Sequence, residues 1–188
     1  MKKLKLLFVG VFGLLLSLTA SAYVVTGNPN GTITINKFFD YQCPHCRDLE
    51  GPLNQVIEEN PDVKVISRVV PILGKDSWYV ARAVIAAKKD GKYSEFNNVV
   101  MRQSGHISRD DLLRLAQNKL GYNTTQLRKD MFTSDVTDEI NANLEAARAE
   151  NATRIPTLII TNAKGEKRVI LGYRNFRDLN QVIAEIRN

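Results

Sequence analysis

Apolar and polar positions along the chain predict strands at two early segments, with a helix between them. TITINKFF, residues 32–39, and VKVISRVVPIL, residues 63–73, are rich in β-branched and aromatic residues, as strands are. Between these runs, apolar residues recur at helical spacing at Leu49, Leu53, Val56 and Ile57. A helix that joins two parallel strands makes a right-handed crossover, so residues 32–73 predict a βαβ unit.

The stretch from Ser77 to Glu150 predicts a series of helices. Serines that could begin helices stand at Ser77, Ser108 and Ser134, and glycines that could end them stand at Gly91 and Gly121. Asp111 lies three residues after Ser108, which resembles a capping box. The apolar stripes on these helices are the ordinary pattern of a core, so we expect a helical insertion without an active site of its own.

The last segment returns to a strand pattern and closes with a helix. IPTLIITNAKGEKRVILGY, residues 155–173, predicts two strands joined by a hairpin turn at residues 163–166. Asn175 could cap a final helix, whose apolar stripe is formed by Phe176, Leu179, Ile183 and Ile186. The predicted fold class is therefore α/β, a βαβ–ββα mixed sheet with helices on both faces and a helical insertion.

The first 22 residues have the pattern of a signal peptide. Lys2, Lys3 and Lys5 precede an uncharged apolar run over residues 6–18, and Ala-Ser-Ala at 20–22 offers small residues for cleavage. The alternative is an uncleaved anchor, although the run is short for a membrane span of about 20 residues. We expect residues 1–22 to be removed, with a domain formed by residues 23–76 and 151–188 around an insertion at 77–150.

The net charge limits the classes of binding partner, and the number of cysteines limits the kinds of reaction that the protein could perform. Loss of the three early lysines would lower the formal net charge from +6 to +3, which is too small to favour nucleic acid or an anionic membrane. The chain has two cysteines, Cys43 and Cys46, in the segment FFDYQCPHCRDLE at residues 38–50. An exported protein meets an oxidising compartment, where disulfides form and persist.

Two interpretations of the cysteine pair are weak. A zinc site usually needs four ligands, and besides His45 the sequence offers only His106, far along the chain. A structural staple across four residues would remove little entropy from the unfolded chain, about 2 kcal/mol, and so short a ring strains the bond.

The third interpretation is a reactive dithiol. Pro44 suits the first turn of a helix, which would place Cys43 at the helix N-terminus, facing unpaired backbone N–H groups. The helix dipole, His45 and a thiol donated by Cys46 would all favour a Cys43 thiolate, the form that attacks disulfides.

The size of this effect bears on the direction of the redox reaction. If the pKa of Cys43 were near 4, the reduced form would gain roughly 4 kcal/mol at pH 7, which makes the disulfide about 90 mV more oxidising. The gain would be lost as the pH falls through about 4. On that assumption the pair is an oxidant.

FFDYQCPHC after a strand, and RIPTLII opening a strand about 110 residues later, resemble the DsbA family of periplasmic thiol–disulfide oxidoreductases. VVPILGKDS, residues 69–77, and GKYSEF, residues 91–96, add to the resemblance, which covers nearly the whole chain after residue 22. It implies a thioredoxin fold interrupted by a helical domain. The thioredoxin parts would be residues 23–76 and 151–188.

The resemblance also implies roles for individual residues. Cys43 would be the exposed attacking cysteine and Cys46 the buried resolving one, together forming a redox-active disulfide that Pro44 and His45 tune. Pro156 would be a cis-proline beside that disulfide. Substrate would pair with the backbone of Ile155, as strand-addition complexes do.

The chain departs from the family pattern at two places. Many relatives carry an acidic residue six positions before the first cysteine, where this chain has Lys37. Its ammonium either reaches water or lies under the active site, where it would favour the Cys43 thiolate. Many relatives also have glycine-rich sequence before the cis-proline, where this chain has NATRIP.

The function implied is that of a periplasmic protein dithiol oxidase. It would donate its disulfide to unfolded exported proteins with cysteines, act as a monomer, and be reoxidised by a DsbB-like membrane quinone reductase. No flavin, nicotinamide or metal is implied. Two alternatives remain: an isomerase or reductase of the same fold, or a soft-metal carrier or holdase that uses the pair as ligands.

Overall fold

The computed structural model describes residues 23–187, so the predicted signal peptide lies outside the described residues. The strands are β1 (Val24–Gly27), β2 (Ile33–Phe39), β3 (Val63–Val69), β4 (Thr157–Thr161) and β5 (Lys167–Leu171). The helices are α1 (Pro44–Asp48), α2 (Glu50–Glu59), α3 (Lys75–Ala86), α4 (Tyr93–Met101), α5 (Arg109–Leu120), α6 (Thr124–Asp130), α7 (Ser134–Ala149) and α8 (Phe176–Arg187), with a 3₁₀ turn at Ala87–Asp90.

The strands form one mixed sheet in the order β1-β3-β2-β4-β5. β2 and β3 are parallel and joined by α1 and α2, which is the predicted βαβ unit. β4 runs antiparallel to β2, and β5 antiparallel to β4, so the second unit is the predicted ββα hairpin and helix. The predicted α/β mixed sheet is therefore confirmed.

Both faces of the sheet are covered, each by a separate apolar cluster. One cluster joins α2 and α8 to inward residues of the sheet such as Ile35 and Leu158, both fully buried. A smaller cluster on the opposite face includes Phe38, Ile159 and Ala147 of α7. Because β2 is central, its residues on both faces are buried, which is why this strand reads as almost continuously apolar.

The helices between β3 and β4 pack into a third cluster, which also contains Cys43 and Cys46. The predicted capping box of α5 is present, since the Ser108 hydroxyl accepts from the Asp111 N–H at 3.1 Å. Such a cap stabilises a helix by about 1 kcal/mol. The predicted helix ends at Gly91 and Gly121 are also confirmed, because both glycines adopt left-handed backbone conformations at helix ends.

Several element boundaries differ from the prediction. Gly74, with φ at 112°, precedes α3, and Ser77 lies buried inside that helix, so the predicted cap at Ser77 is wrong. Thr133 rather than Ser134 precedes α7. β3 ends at Val69, four residues before the predicted end.

Two features of the first unit were not predicted. The helix after the cysteines breaks at Leu49 into α1 and α2. Pro52 explains the break, because it lacks the N–H that would bond the carbonyl of Asp48 in a continuous helix. β1, an edge strand antiparallel to β3, precedes residue 32, where the first predicted strand begins. The division of the chain at residues 76 and 150 stays a prediction.

Candidate active site

The turn between β2 and α1 presents the cysteine pair. Asp40, fully buried, shapes this turn: its Oδ1 accepts the Gln42 N–H at 2.9 Å and its carbonyl accepts the Cys43 N–H at 3.1 Å. The other carboxylate oxygen accepts the Leu73 N–H at 3.0 Å. Asp40 thus ties the start of the cysteine motif to the segment that follows β3.

Cys43 precedes the first turn of α1, with extended backbone angles, and Pro44 takes the first helical position as predicted. The Cys43 carbonyl accepts the Cys46 N–H at 3.1 Å, which begins the helix. The sequence therefore placed the pair correctly at a helix N-terminus. Both cysteines are free thiols, Cys43 being 7% and Cys46 1% exposed. The expectation that Cys43 is exposed is therefore wrong, because Cys43 packs in the apolar cluster of the helices between β3 and β4.

The geometry lowers the pKa of Cys43 to about 6. The largest cause is a hydrogen bond from the Cys46 thiol to the Cys43 sulfur, and partial burial opposes it. Backbone N–H groups of Cys46 and His45 lower the pKa further, as does the charge of His45. The value near 4 that we assumed from the sequence is too low, because desolvation works against the thiolate.

Cys46 has the opposite character. Burial raises the pKa of the Cys46 thiol far above the ordinary range, and the hydrogen bond to Cys43 raises it further. The backbone of Asp40 and the charge of Lys37 act in the other direction. At neutral pH the pair therefore holds one thiolate and one thiol, with the proton on Cys46.

Lys37 lies in the interior of the protein rather than at its surface. It is 3% exposed, and its ammonium pairs with the carboxylate of Glu50 at the start of α2. The ammonium also lies 4.4 Å from the centre of the Phe39 ring. The interpretation in which it reaches water is wrong, and its charge acts on Cys46, where we had expected an effect on Cys43.

His45 is the exposed member of the motif. Its side chain is 73% exposed, and its Nδ1 lies 3.9 Å from the Asp48 carboxylate. Because water screens charges at such an exposed position, the charge of His45 contributes less to the lowered pKa of Cys43 than the hydrogen bonds do.

Two further residues hold the active-site segment in place, and no motif or spacing in the sequence pointed to either. The buried Arg47 donates to the carbonyls of Gln103 at 2.6 Å and Gly105 at 2.8 Å. Gln42 donates to the Ile107 carbonyl at 2.7 Å and accepts its N–H at 3.0 Å. These bonds lock the cysteine motif to the loop before α5, a pairing that sequence spacing cannot reveal.

Ile155 and Pro156 complete the set of predicted site residues. The peptide bond between them is cis, as the resemblance implied. Ile155 packs against the apolar cluster that contains both cysteines, although it lies more than 100 positions away in the sequence. The fold thus brings the motif and the start of β4 to one place.

Comparison with known proteins agrees with this arrangement. The sequence profile of the DSBA-like thioredoxin domain family matches residues 34–184. The chain belongs to the DSBA-like thioredoxin domain family. The predicted family and thioredoxin fold are therefore confirmed, and the chain has the fold of a thiol–disulfide oxidoreductase family whose members interact with substrate proteins and redox partners.

Solved structures show how closely the fold is shared. A thioredoxin-like oxidoreductase from Silicibacter pomeroyi DSS-3 is 31% identical with a TM-score of 0.79, over 88% of this chain and 92% of that one. The thiol-disulfide exchange protein alpha-DsbA2 from Wolbachia pipientis is 24% identical with a TM-score of 0.74, over 87% of each chain. The second likeness supports the DSBA-like fold alone.

Curated relatives of the DSBA-like domain are longer proteins. The Na⁺/H⁺ antiporter NhaA 3 of Salinispora tropica is 20% identical over 157 residues, which cover 82% of this chain and 24% of that protein. The chain spans about a quarter of the length of the curated relatives it matches. Within residues 23–187, none of the helices is long and apolar enough to cross a membrane.

Proposed function

We propose that this chain is a periplasmic protein dithiol oxidase, which donates a Cys43–Cys46 disulfide to exported proteins as they fold. One observation carries the proposal: a thiol whose pKa is lowered to about 6 lies at a helix N-terminus beside a buried thiol whose pKa is raised. A stable thiolate at Cys43 favours the reduced form of the pair, which makes the disulfide more oxidising, and it is a good leaving group when a mixed disulfide with substrate is resolved.

The reaction needs two exchanges. A substrate thiolate attacks the Cys43 sulfur, the Cys43–Cys46 bond breaks, and Cys46 leaves with the electron pair and takes up a proton. A second substrate thiolate then attacks the substrate sulfur of the mixed disulfide, and Cys43 leaves as a thiolate. The substrate dithiol loses two electrons and two protons, and the cysteine pair gains the electrons.

The backbone of Ile155 is the proposed docking point for substrate. Within residues 23–187, neither its N–H nor its carbonyl is bonded to another group. Pro156 has no N–H, and its carbonyl accepts the Gly172 N–H at 2.8 Å. An extended substrate could therefore pair with Ile155 beside the cysteine cluster without displacing a bond of the sheet.

The remaining parts of the proposal follow from the sequence and the family. The signal pattern in residues 1–22 supports export to the periplasm. A DsbB-like membrane quinone reductase would reoxidise the pair, since the donated electrons must pass to an acceptor. The dithiol chemistry is complete without a cofactor, and the protein would act as a monomer.

The value of the pKa leaves a second candidate, an isomerase or reductase of the same fold. With the pKa of Cys43 at about 6, the thiolate stabilises the reduced form by roughly 1.4 kcal/mol at pH 7, or about 30 mV. This is a third of the effect we derived for a pKa near 4. A weaker oxidant is closer to the range in which a dithiol is kept reduced.

The redox potential of the pair decides between the two candidates. The folded protein would be equilibrated with glutathione buffers, and the reduced fraction counted by alkylation and mass measurement. A dithiol oxidase requires a potential less negative than that of glutathione. A potential far more negative than that of glutathione would remove the oxidase proposal and leave the reductase.

A further inference from the structure

The outer edge of β5 carries an open row of backbone groups. The Asn162 N–H bonds the Glu166 carbonyl, and the Gly172 N–H bonds the Pro156 carbonyl, at the two ends of the β4–β5 ladder. In an antiparallel pair, bonded and non-bonded residues alternate. The residues of β5 that turn their N–H and carbonyl groups away from β4 are therefore Lys167, Val169 and Leu171.

The second half of this edge carries exposed apolar side chains, whereas Lys167 and Arg168 in its first half are charged. Val169 is 60% and Leu171 47% exposed, and Tyr173 just beyond the strand is 41% exposed. Opposite Val169 on β4 lies Ile159, which is buried, so the apolar surface of the sheet continues to its uncovered rim. Exposed apolar edge strands are surfaces on which another strand can pair.

Two arginines lie on the outward carbonyls. Arg168 Nη1 donates to the Lys167 carbonyl at 3.1 Å, and Arg174 Nη1 donates to the Leu171 carbonyl at 3.2 Å. Both guanidinium groups have donors to spare, since each carries five N–H groups. A carboxylate that arrives at this edge would draw the guanidinium groups from the carbonyls and free those carbonyls for a strand.

We propose that the β5 edge binds an extended segment of the client polypeptide in which apolar residues alternate with carboxylates. This inference rests on the proposed function and names its substrate class. The end of this edge is near the proposed docking point, because Gly172, which follows β5, bonds Pro156 next to Ile155. The apolar residues would pack on Val169 and Leu171, while the carboxylates pair with Arg168 and Arg174.

Single-turnover oxidation of synthetic dithiol peptides by the oxidised protein tests this proposal. One peptide has no arm, a second carries a ten-residue arm of alternating Val and Glu, and a third replaces Glu by Lys. A fourth carries the Val–Glu arm with alternate amides N-methylated, which removes its strand-pairing donors. We expect the Val–Glu arm to raise the second-order rate constant about fivefold to tenfold, as two or so net hydrogen bonds would.

The Val–Lys arm and the N-methylated arm should give little gain. In Val169→Pro, which lacks the outward N–H, the ratio of the rates with and without the Val–Glu arm should fall towards one. Val169→Thr keeps the N–H and the branched shape and should retain most of the gain. Lys119→Gln removes a positive charge from the exposed side of α5, away from the β5 edge. It controls for a general loss of positive charge and should retain the whole gain in rate with the Val–Glu arm.

The remaining outcomes contradict either the proposed edge site or the proposed function. An equal gain in rate with the N-methylated arm would mean that electrostatic attraction, and not strand pairing, causes the gain. That result would overturn the proposal. Oxidation of all peptides at one rate would overturn the proposal and leave the dithiol oxidase standing, whereas failure to oxidise even the armless peptide would refute the proposed function itself. A dimer in sedimentation that Val169→Pro converts to monomer, with no effect of the arm, would assign the edge to a second copy of this chain.

Discussion

The outer and inner sides of the active-site turn contain the same residue type in opposite states. On the outer side, Cys43 meets the N–H groups of a helix start and a donated thiol, and its pKa falls to about 6. On the inner side, Cys46 is buried among apolar groups, and its pKa rises, with Lys37 only partly opposing the effect. The two cysteines are only three positions apart in the sequence. The chemistry of each thiol is therefore decided by its position relative to the helix start and to solvent.

We expect the largest effect when each cysteine in turn is replaced by alanine. Cys46→Ala should accumulate mixed disulfides with exported proteins, because the Cys43 thiolate can still attack a disulfide in the substrate, releasing one substrate thiolate, and no Cys46 thiol remains to displace the substrate from Cys43. Cys43→Ala should accumulate almost none, since the remaining thiol is buried and protonated. Non-reducing gels of cell extracts measure both variants, and equal trapping by the two would abolish the assigned roles.

The next effect concerns the buried ion pair on the inner side. Glu50→Gln should lower the free energy of unfolding by about 3 kcal/mol, because it leaves the ammonium of Lys37 buried without a charge partner. Lys37→Met combined with Glu50→Gln should recover most of that loss, since the uncompensated charge is gone. Urea unfolding of the unchanged protein, Glu50→Gln, Lys37→Met and the double variant measures this, and additive losses in the double variant would show that the two groups are not coupled.

The same inner side predicts slower resolution when the lysine is absent. The charge of Lys37 lowers the pKa of Cys46, so the Lys37→Met, Glu50→Gln variant should form the Cys46 thiolate less readily. Displacement by Cys46 of a substrate joined to Cys43 should slow about threefold to tenfold, while alkylation of Cys43 in the reduced protein, which does not need a Cys46 thiolate, changes little. Stopped-flow traces of the displacement and of the alkylation distinguish this from a general loss of structure, which would change both.

The outer side predicts a particular pH dependence. Alkylation of Cys43 in the reduced protein should follow a titration with a midpoint of about 6. Because this pKa is lowered, the stabilisation of the reduced form is full above the ordinary thiol pKa and is lost as the pH falls through about 6. Thiolate absorbance in the ultraviolet follows the titration directly, and a midpoint near 4 would restore the stronger oxidant that we derived from the sequence.

The smallest effect belongs to His45. Its charge is the least of the causes that lower the pKa of Cys43, and its side chain is largely in water. His45→Ala should raise the pKa of Cys43 by about half a unit, because the backbone N–H at this position remains. Repeating the titration in high salt gives the control, since screening should shrink the difference between the two proteins.

Local rules explain what was predicted well. The capping box at Ser108 and Asp111, the glycine stops and the placement of Cys43 before Pro44 each depend on a few neighbouring residues. The cap of α8 does as well, since Asn175 Oδ1 accepts the Asp178 N–H at 2.9 Å. The same rules failed at Ser77, because packing buried that serine inside α3 and a glycine preceded the helix instead.

Packing between distant segments explains what was missed. The partner of Lys37 is on another element, and in sequence alone a lysine on a strand is expected to reach water. Arg47 and Gln42 also contact a loop more than 50 positions away. Desolvation of Cys43 likewise depends on the helices that enclose it, which is why the assumed pKa was too low.

The sequence alone determined the βαβ unit, the helical insertion and the closing ββα unit, the reactive pair at a helix start, and the family of the chain. Those follow from periodicity, capping residues and a short motif, whose physical causes act over a few residues. The tertiary structure decided how far the pKa of Cys43 falls, where the charge of Lys37 acts, and which residues lie on the open edge of the sheet. Burial and charge pairing depend on residues that only folding brings together, so no local pattern could fix them.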